Sequence, residues 1–295
     1  MNLNSLTENE TFESGFHRIS DSLISNILEY AKSSDSDPAT AIHEIRKKLK
    51  MLRALLKMLR YTGDQKMFEQ ANLLLRDLGR LMSEIRDAHV RNITLTEIEI
   101  NNGLKNFERI VQEIIETNTL QVKHLEEVYF VKFNVFNRLI SKLETSDHIF
   151  NFLNSCSFDR VKILEGYSKT YEDGFNSFFT AFVYPSSELL HEWRKRLKDL
   201  NSQSIYLGTH LPDMGINLSE MDMLSDILGE DHDYWMLSDW ITEQSWSDIN
   251  LPAIHKFVEK IEEKRAKLQR SAEYYGKNIY SIEPANYRTK LLQSI

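Results

Sequence analysis

The sequence predicts an all-α protein built as two tandem four-helix bundles, and three observations predict it. Glycine (10) and proline (5) are few for 295 residues, Leu, Ile, Lys and Glu outweigh Val and Thr, and no segment alternates in the manner of a strand. Apolar residues recur at steps of three and four along most of the chain, the spacing of an amphipathic helix. An eight-residue string occurs twice, His43-Glu44-Ile45-Arg46-Lys47-Lys48-Leu49-Lys50 and, 148 residues on, His191-Glu192-Trp193-Arg194-Lys195-Arg196-Leu197-Lys198, with six positions identical. The repeat divides the chain into residues 1–157 and 158–295.

In the first half, helical periodicity runs through Phe12 to Ala31, Ala39 to Tyr61, Gln65 to about Arg91, Leu95 to Asn118 and Leu120 to Leu143. Polar stretches at residues 144–147 and 151–157 mark the junction. The second half reads as helices over Asp159 to Phe182, Ser186 to Leu207, Leu218 to Gln244 and Pro252 to Gly276, then a polar tail from Asn278. The loop from Gly208 to Asn217, holding Gly208, Pro212 and Gly215, separates two of these. Four long helices per half with short connections is the pattern of antiparallel bundles.

Both copies of the string follow a turn-former, Asp37-Pro38 or Pro185-Ser186, and so sit in the first turns of a helix. On the first helix Ile42, Ile45, Leu49, Leu52, Leu56 and Leu59 form an apolar stripe. His43, Arg46, Lys50, Arg53, Lys57 and Arg60 form the same stripe displaced by one residue, about 100° around the axis. The second copy keeps the register, with Leu190, Trp193, Leu197 and Leu200 beside His191, Arg194 and Lys198. A solvated helix face ordinarily mixes signs, because like charges at i,i+4 repel. From Arg46 to Arg60 there are seven cations and no acid. The stripe from His43 to Arg60 extends about 25 Å, enough for several consecutive phosphates. Arginine offers forked donors and lysine a mobile point charge, a mixture suited to a flexible polyanion.

The net charge of −8 excludes a protein that holds nucleic acid through its overall field, and the stripe lacks interleaved stacking aromatics. The N-terminus resembles no signal peptide and no apolar run reaches membrane-spanning length, so a cytoplasmic protein without membrane contact is expected. The single Cys156 reads as an inert, partly buried thiol.

A second repeated element, Leu78 to Asp87, corresponds to Leu224 to Asp233 at an offset of 146 and sets Glu84-x-Arg86-Asp87 against Glu230-x-His232-Asp233. Each brings a cationic or titratable side chain beside two carboxylates able to orient the cations of the neighbouring helix. The alternative is a helix bend whose Asp is a local cap.

The two elements in order and in duplicate, with Tyr275-Gly276 and Ile279-Tyr280 followed by Pro284, resemble the CHAD family, the conserved histidine α-helical domain, over about residues 10 to 290. The resemblance implies two four-helix bundles related by a pseudo-twofold, and a basic groove that binds inorganic polyphosphate. Carried over, the groove comprises His43, Arg46, Lys47, Lys50, Arg53 and Lys57, with His191, Arg194, Lys195 and Lys198. Arg86 and His232 come from the second element, and Arg109, Arg138 and Arg265 complete the groove. The chain departs from the family pattern at Asn201-Ser202, which shortens the second stripe, and at Tyr171-Glu172-Asp173-Gly174-Phe175, where relatives tend to carry arginines.

His43 and His191 precede Glu, but the second His of H-E-x-x-H is replaced by Lys47 and Lys195, so no zinc site is expected. Two roles stand open for these histidines: hydrogen-bonded packing, or phosphate contact by a protonated ring. No phosphate-cradling loop, nucleophile elbow or metal-binding carboxylate cluster is evident. The expectation is therefore non-catalytic, cofactor-free polyphosphate binding that targets or organises polyphosphate granules with their proteins. A cryptic phosphohydrolase and a scaffold for an acidic protein are the alternatives.

Overall fold

A computed structural model describes residues 4–34, 36–100 and 107–293, the side chains of 99 and 100 excepted; all regular structure among them is helical. In chain order the α-helices are α1 (Phe12–Lys32), α2 (Pro38–Met58), α3 (Gln65–Arg80), α4 (Ser83–Ile100), α5 (Glu108–Glu126), α6 (Val135–Glu144), α7 (His148–Ser155), α8 (Arg160–Val183), α9 (Ser187–Leu207), α10 (Leu218–Glu243), α11 (Leu251–Ile279) and α12 (Pro284–Gln293).

Local chemistry starts half of them. Thr11, Asp37, Asp64, Asp159, Ser186 and Asn217 each accept a bond from a backbone N–H of the first turn that has no intrahelical partner. Pro38 then occupies the first turn of α2, where its missing N–H costs nothing.

The structure differs from the sequence reading in five places. The helix expected from Gln65 to Arg91 breaks at Leu81 and Met82. There the Gly79 carbonyl accepts from Arg46 Nη1 and the Arg80 carbonyl from Ser83 Oγ, so side chains satisfy acceptors that an unbroken helix would bond to amides. The helix expected from Leu95 to Asn118 is α4 running to Ile100 and α5 starting at Glu108; residues 101–106 lie outside the described ones. The helix expected from Leu120 to Leu143 is three pieces: the end of α5, a π-helical turn at Glu127–Lys132, and α6 beyond Asn134, whose left-handed backbone (φ 46°) interrupts the helix. The junction contains α7, which buries Ile149, Phe152 and Leu153, and the tail contains α12, whose Tyr287 ring stacks on Tyr171 of α8 at 3.6 Å.

The hydrophobic interior does not divide at residue 157. A large cluster joins α1, α2, α3, α6 and α7 to α8, α9 and α12. A smaller one joins the end of α4 and the first half of α5 to α10 and α11. At the centre lies α2, packed on α1 and α3 from its own half and on α8 and α9 from the other. The approach to α8 is close: a Cβ on Gly166 would stand 1.9 Å from the Met58 carbonyl oxygen.

Candidate polyanion groove

The apolar stripe predicted on α2 is the buried one: Ile42, Ile45, Leu49, Leu52, Leu56 and Leu59 are sealed in the core. Leu190, Trp193, Leu197 and Leu200 do the same for α9. Each cationic stripe lies one residue beyond, at the rim of its buried seam. Where α2 meets α9, Gln203 donates to the Ala54 carbonyl (2.8 Å), Tyr206 to the Met51 carbonyl (2.7 Å), and the Lys57 ammonium to Asp199. These polar bonds fix the helices of the two halves in one orientation.

That orientation brings the two cationic stripes together. Lys50 keeps an exposed surface, yet protein surrounds its ammonium, as in a groove. Desolvation, then the positive charges of Arg46, Arg194, Lys198 and Arg86, push its pKa down to about 7. Lys198 is pushed down to about 8 by desolvation and Arg194, against the carboxylates of Asp233 and Asp226. Five basic side chains from α2, α4 and α9 therefore share one space. Asp87 and Asp233 stand in the same space, and desolvation raises both pKa values although cations on every side oppose it.

At each motif histidine, the second repeated element meets the first. On α2, Arg86 Nη2 donates to His43 Nδ1 at 2.8 Å, which requires a neutral ring with Nδ1 as acceptor. On α9, the His191 and His232 rings stack at 4.0 Å and 20°. Desolvation and neighbouring cations lower His191 to about 4 and His232 to about 2. Among the described residues, Nδ1 of both rings and Nε of Arg194 are buried without a hydrogen-bond partner. Gly229 leaves room for that guanidinium, since a Cβ there would lie 3.3 Å from Arg194 Nη2.

The predicted site residues therefore separate into two sets. Arg46, Lys50, Arg86, His191, Arg194, Lys198 and His232 converge, with His43 against Arg86 and Lys47 near enough to act on Lys198. Lys195 stands exposed at the rim, bonded to Glu192. Arg53 adjoins them, its Nε bonded to Asn72 Oδ1 at 3.2 Å. Four assignments need correction or displacement. Arg265 is buried and spends its donors on Asp231 (3.2 Å), Glu262 (2.8 Å) and Ser187 (2.8 Å), a structural role inside the bundle. Lys57 is likewise absorbed by Asp199 at the helix crossing. Arg109 is exposed at the first turn of α5, and Arg138 lies over the Phe133 ring (5.4 Å) on α6, which packs on α1.

Three basic residues outside the predicted groove surround Arg53: Arg76 and Arg80 of α3, and Arg196 of α9. The same displaced-stripe rule finds Arg76, which follows the buried Leu75. The sequence departures also acquire reasons. Asn201 ties α9 to α10 by donating to Asp222 Oδ1 (2.6 Å), while Tyr171 donates to the Ile282 carbonyl (2.8 Å) and Asp173 accepts from Lys169 (3.1 Å). Among the described residues no helix is long and apolar enough to cross a membrane, and no group of three or more His, Cys, Asp or Glu could hold a metal ion.

Comparisons with known proteins bear on the fold. Residues 19–126 match the family model of the CHAD domain. The crystal structure of the CHAD domain from the plant Ricinus communis has the same fold: TM-score 0.66 over 95% of both chains, at 12% identity. No curated protein matches the sequence.

Proposed function

We propose that this chain, which matches the CHAD domain family over residues 19–126 and has the fold of a CHAD domain along nearly its whole length, binds inorganic polyphosphate without transforming it. The observation that carries the reading is the convergence of Arg46, Lys50, Arg86, Arg194 and Lys198 on one space. Like charges gathered by folding repel one another, and a strong polyanion relieves that repulsion while supplying acceptors to every donor. A polymer of phosphates suits a row of donors with no single register better than a compact anion does.

The same arrangement supports an internal duplication with a pseudo-twofold. His43, Arg46 and Lys50 meet Arg86 and Asp87; His191, Arg194 and Lys198 meet His232 and Asp233. Each half contributes one side of a shared groove, so a long polymer is held at both sides at once. The cellular counterpart is attachment to cytoplasmic polyphosphate granules and their proteins.

Calorimetric titration with long-chain polyphosphate, alongside double-stranded DNA, an acidic peptide and tripolyphosphate, tests this. Tight, salt-sensitive binding of the long polymer with no release of orthophosphate is expected. Orthophosphate release would make the protein a phosphohydrolase, and preference for the peptide would make it a protein scaffold.

A further inference from the structure

Helix α3 enters no part of the reading above, yet its geometry sets it alongside the groove. Arg46 Nη1 donates to the Gly79 carbonyl and Arg53 Nε to Asn72 Oδ1. Seven residues forward on α2 thus correspond to seven residues back on α3, so the two helices run antiparallel side by side. In that register Arg76 stands level with Leu49 and Lys50, and Arg80 level with Arg46. Asn72, Arg76 and Arg80 are spaced i, i+4, i+8 and share one face of α3 beside the buried Ala71, Leu75 and Leu78. That face is directed at α2 because Asn72 holds Arg53. From α9, Arg196 adds its charge to the same place.

Three guanidinium groups from two helices therefore gather around that of Arg53. Their acidic neighbours leave most donors unused. Asp77 engages Arg76 at Nε (3.0 Å), one of five N–H donors, Glu192 lies 3.9 Å from Arg196, and Asp199 is already bonded to Lys57. The chemistry differs from that at Lys50 in composition: the α3 group is all planar forks, each able to take two oxygens of one phosphate, whereas the Lys50 cluster mixes three guanidinium groups with two amines.

We infer that Arg53, Arg76, Arg80 and Arg196 form a second phosphate subsite, walled by α3, which engages the part of a polyphosphate chain that lies to the α3 side of the Lys50 cluster. The inference rests on the polyphosphate reading of the groove. The Lys50 cluster takes the first few phosphates of any ligand, and α3 determines how strongly longer chains are preferred. A chain too short to reach from one cluster to the other gains little from α3, whereas each phosphate laid along Arg76 and Arg80 adds a contact and releases further counterions.

The test is titration of wild-type protein, the exposed double variant Arg76→Gln/Arg80→Gln, and Lys50→Gln with tripolyphosphate and with long-chain polyphosphate across a range of salt. The arginine variant is expected to bind the long polymer roughly tenfold more weakly, with the slope of log affinity on log salt reduced by about 1.4–1.8, and tripolyphosphate less than about twofold more weakly. Circular dichroism melting confirms that the variant is folded. Unchanged long-chain affinity and salt slope, or equal weakening toward both ligands, would overturn the α3 subsite while Lys50→Gln still weakened both. If Lys50→Gln were also without effect, the groove reading would fall with it.

Discussion

The depressed pKa values of Lys50 and Lys198 predict that polyphosphate binding, as proposed, takes up protons. With pKa values near 7 and 8 in the free groove, the two amines together lack about 0.6 of a proton at pH 7 and about 1.4 at pH 8. A bound polyanion restores the charged form of both, so the missing protons are taken from solvent. Because the complex holds more protons than its components, affinity rises as pH falls, by about tenfold from pH 8 to pH 7. Calorimetry in buffers of different ionisation enthalpy reads the number directly, and long chains keep titratable end groups few. His191 and His232 are neutral across this window in the free groove, so uptake well above 1.4 at pH 8 would report their protonation beneath the polymer. Lys50→Arg keeps the charge at every accessible pH and should cut uptake at pH 7 to about 0.1 with affinity preserved. Buffer-independent heats at pH 8, or equal affinities at pH 7 and 8, would refute the reasoning.

The remaining predictions concern stability and salt. Lys50 has a folded pKa below its unfolded value, so it destabilises the free protein fully below about pH 7 and not at all above about 10.5; Lys50→Met should raise the melting temperature at pH 7 by about 2–4 °C while weakening polyphosphate binding. Arg265→Ala leaves the buried Asp231 without its cation and should cost about 3–5 kcal/mol in denaturant unfolding, with polyphosphate affinity of the folded protein unchanged. Gly166→Ala forces α8 away from the Met58 carbonyl and should cost about 3 kcal/mol by the same assay, and a neutral result would show that the interface yields easily. Wild-type affinity for the long polymer should fall linearly in log–log salt plots, and a flat line would exclude counterion release as the driving term.

The parts of this molecule legible in the sequence were those set by one helix at a time. The offset between apolar and cationic stripes on α2 and α9 follows from 3.6 residues per turn, and both stripes lie where that period places them. Repetition of the string directed attention to Lys50 and Lys198 together. Contacts between helices were not legible. Arg265 and Lys57 look like their neighbours in sequence, and only packing reveals Asp231 and Asp199 beside them. The break after Gly79 was hidden for the same reason, because the group that ends α3 is an arginine 33 residues earlier. Arg76 was within reach of the stripe rule and was overlooked because α3 carries no copy of the repeated string.

The crossing of α2 and α9 has a kinetic consequence. Gln203, Tyr206 and Lys57 bind across it to backbone and carboxylate acceptors in the interior, so the electrostatic work of bringing two cationic helices together is done during folding and held there by buried contacts. The polyphosphate reading therefore predicts a groove that need not close around an arriving chain. Encounter then proceeds without a conformational step, at a rate governed by diffusion and the local field, and the loss of freedom on capture falls on the flexible polymer.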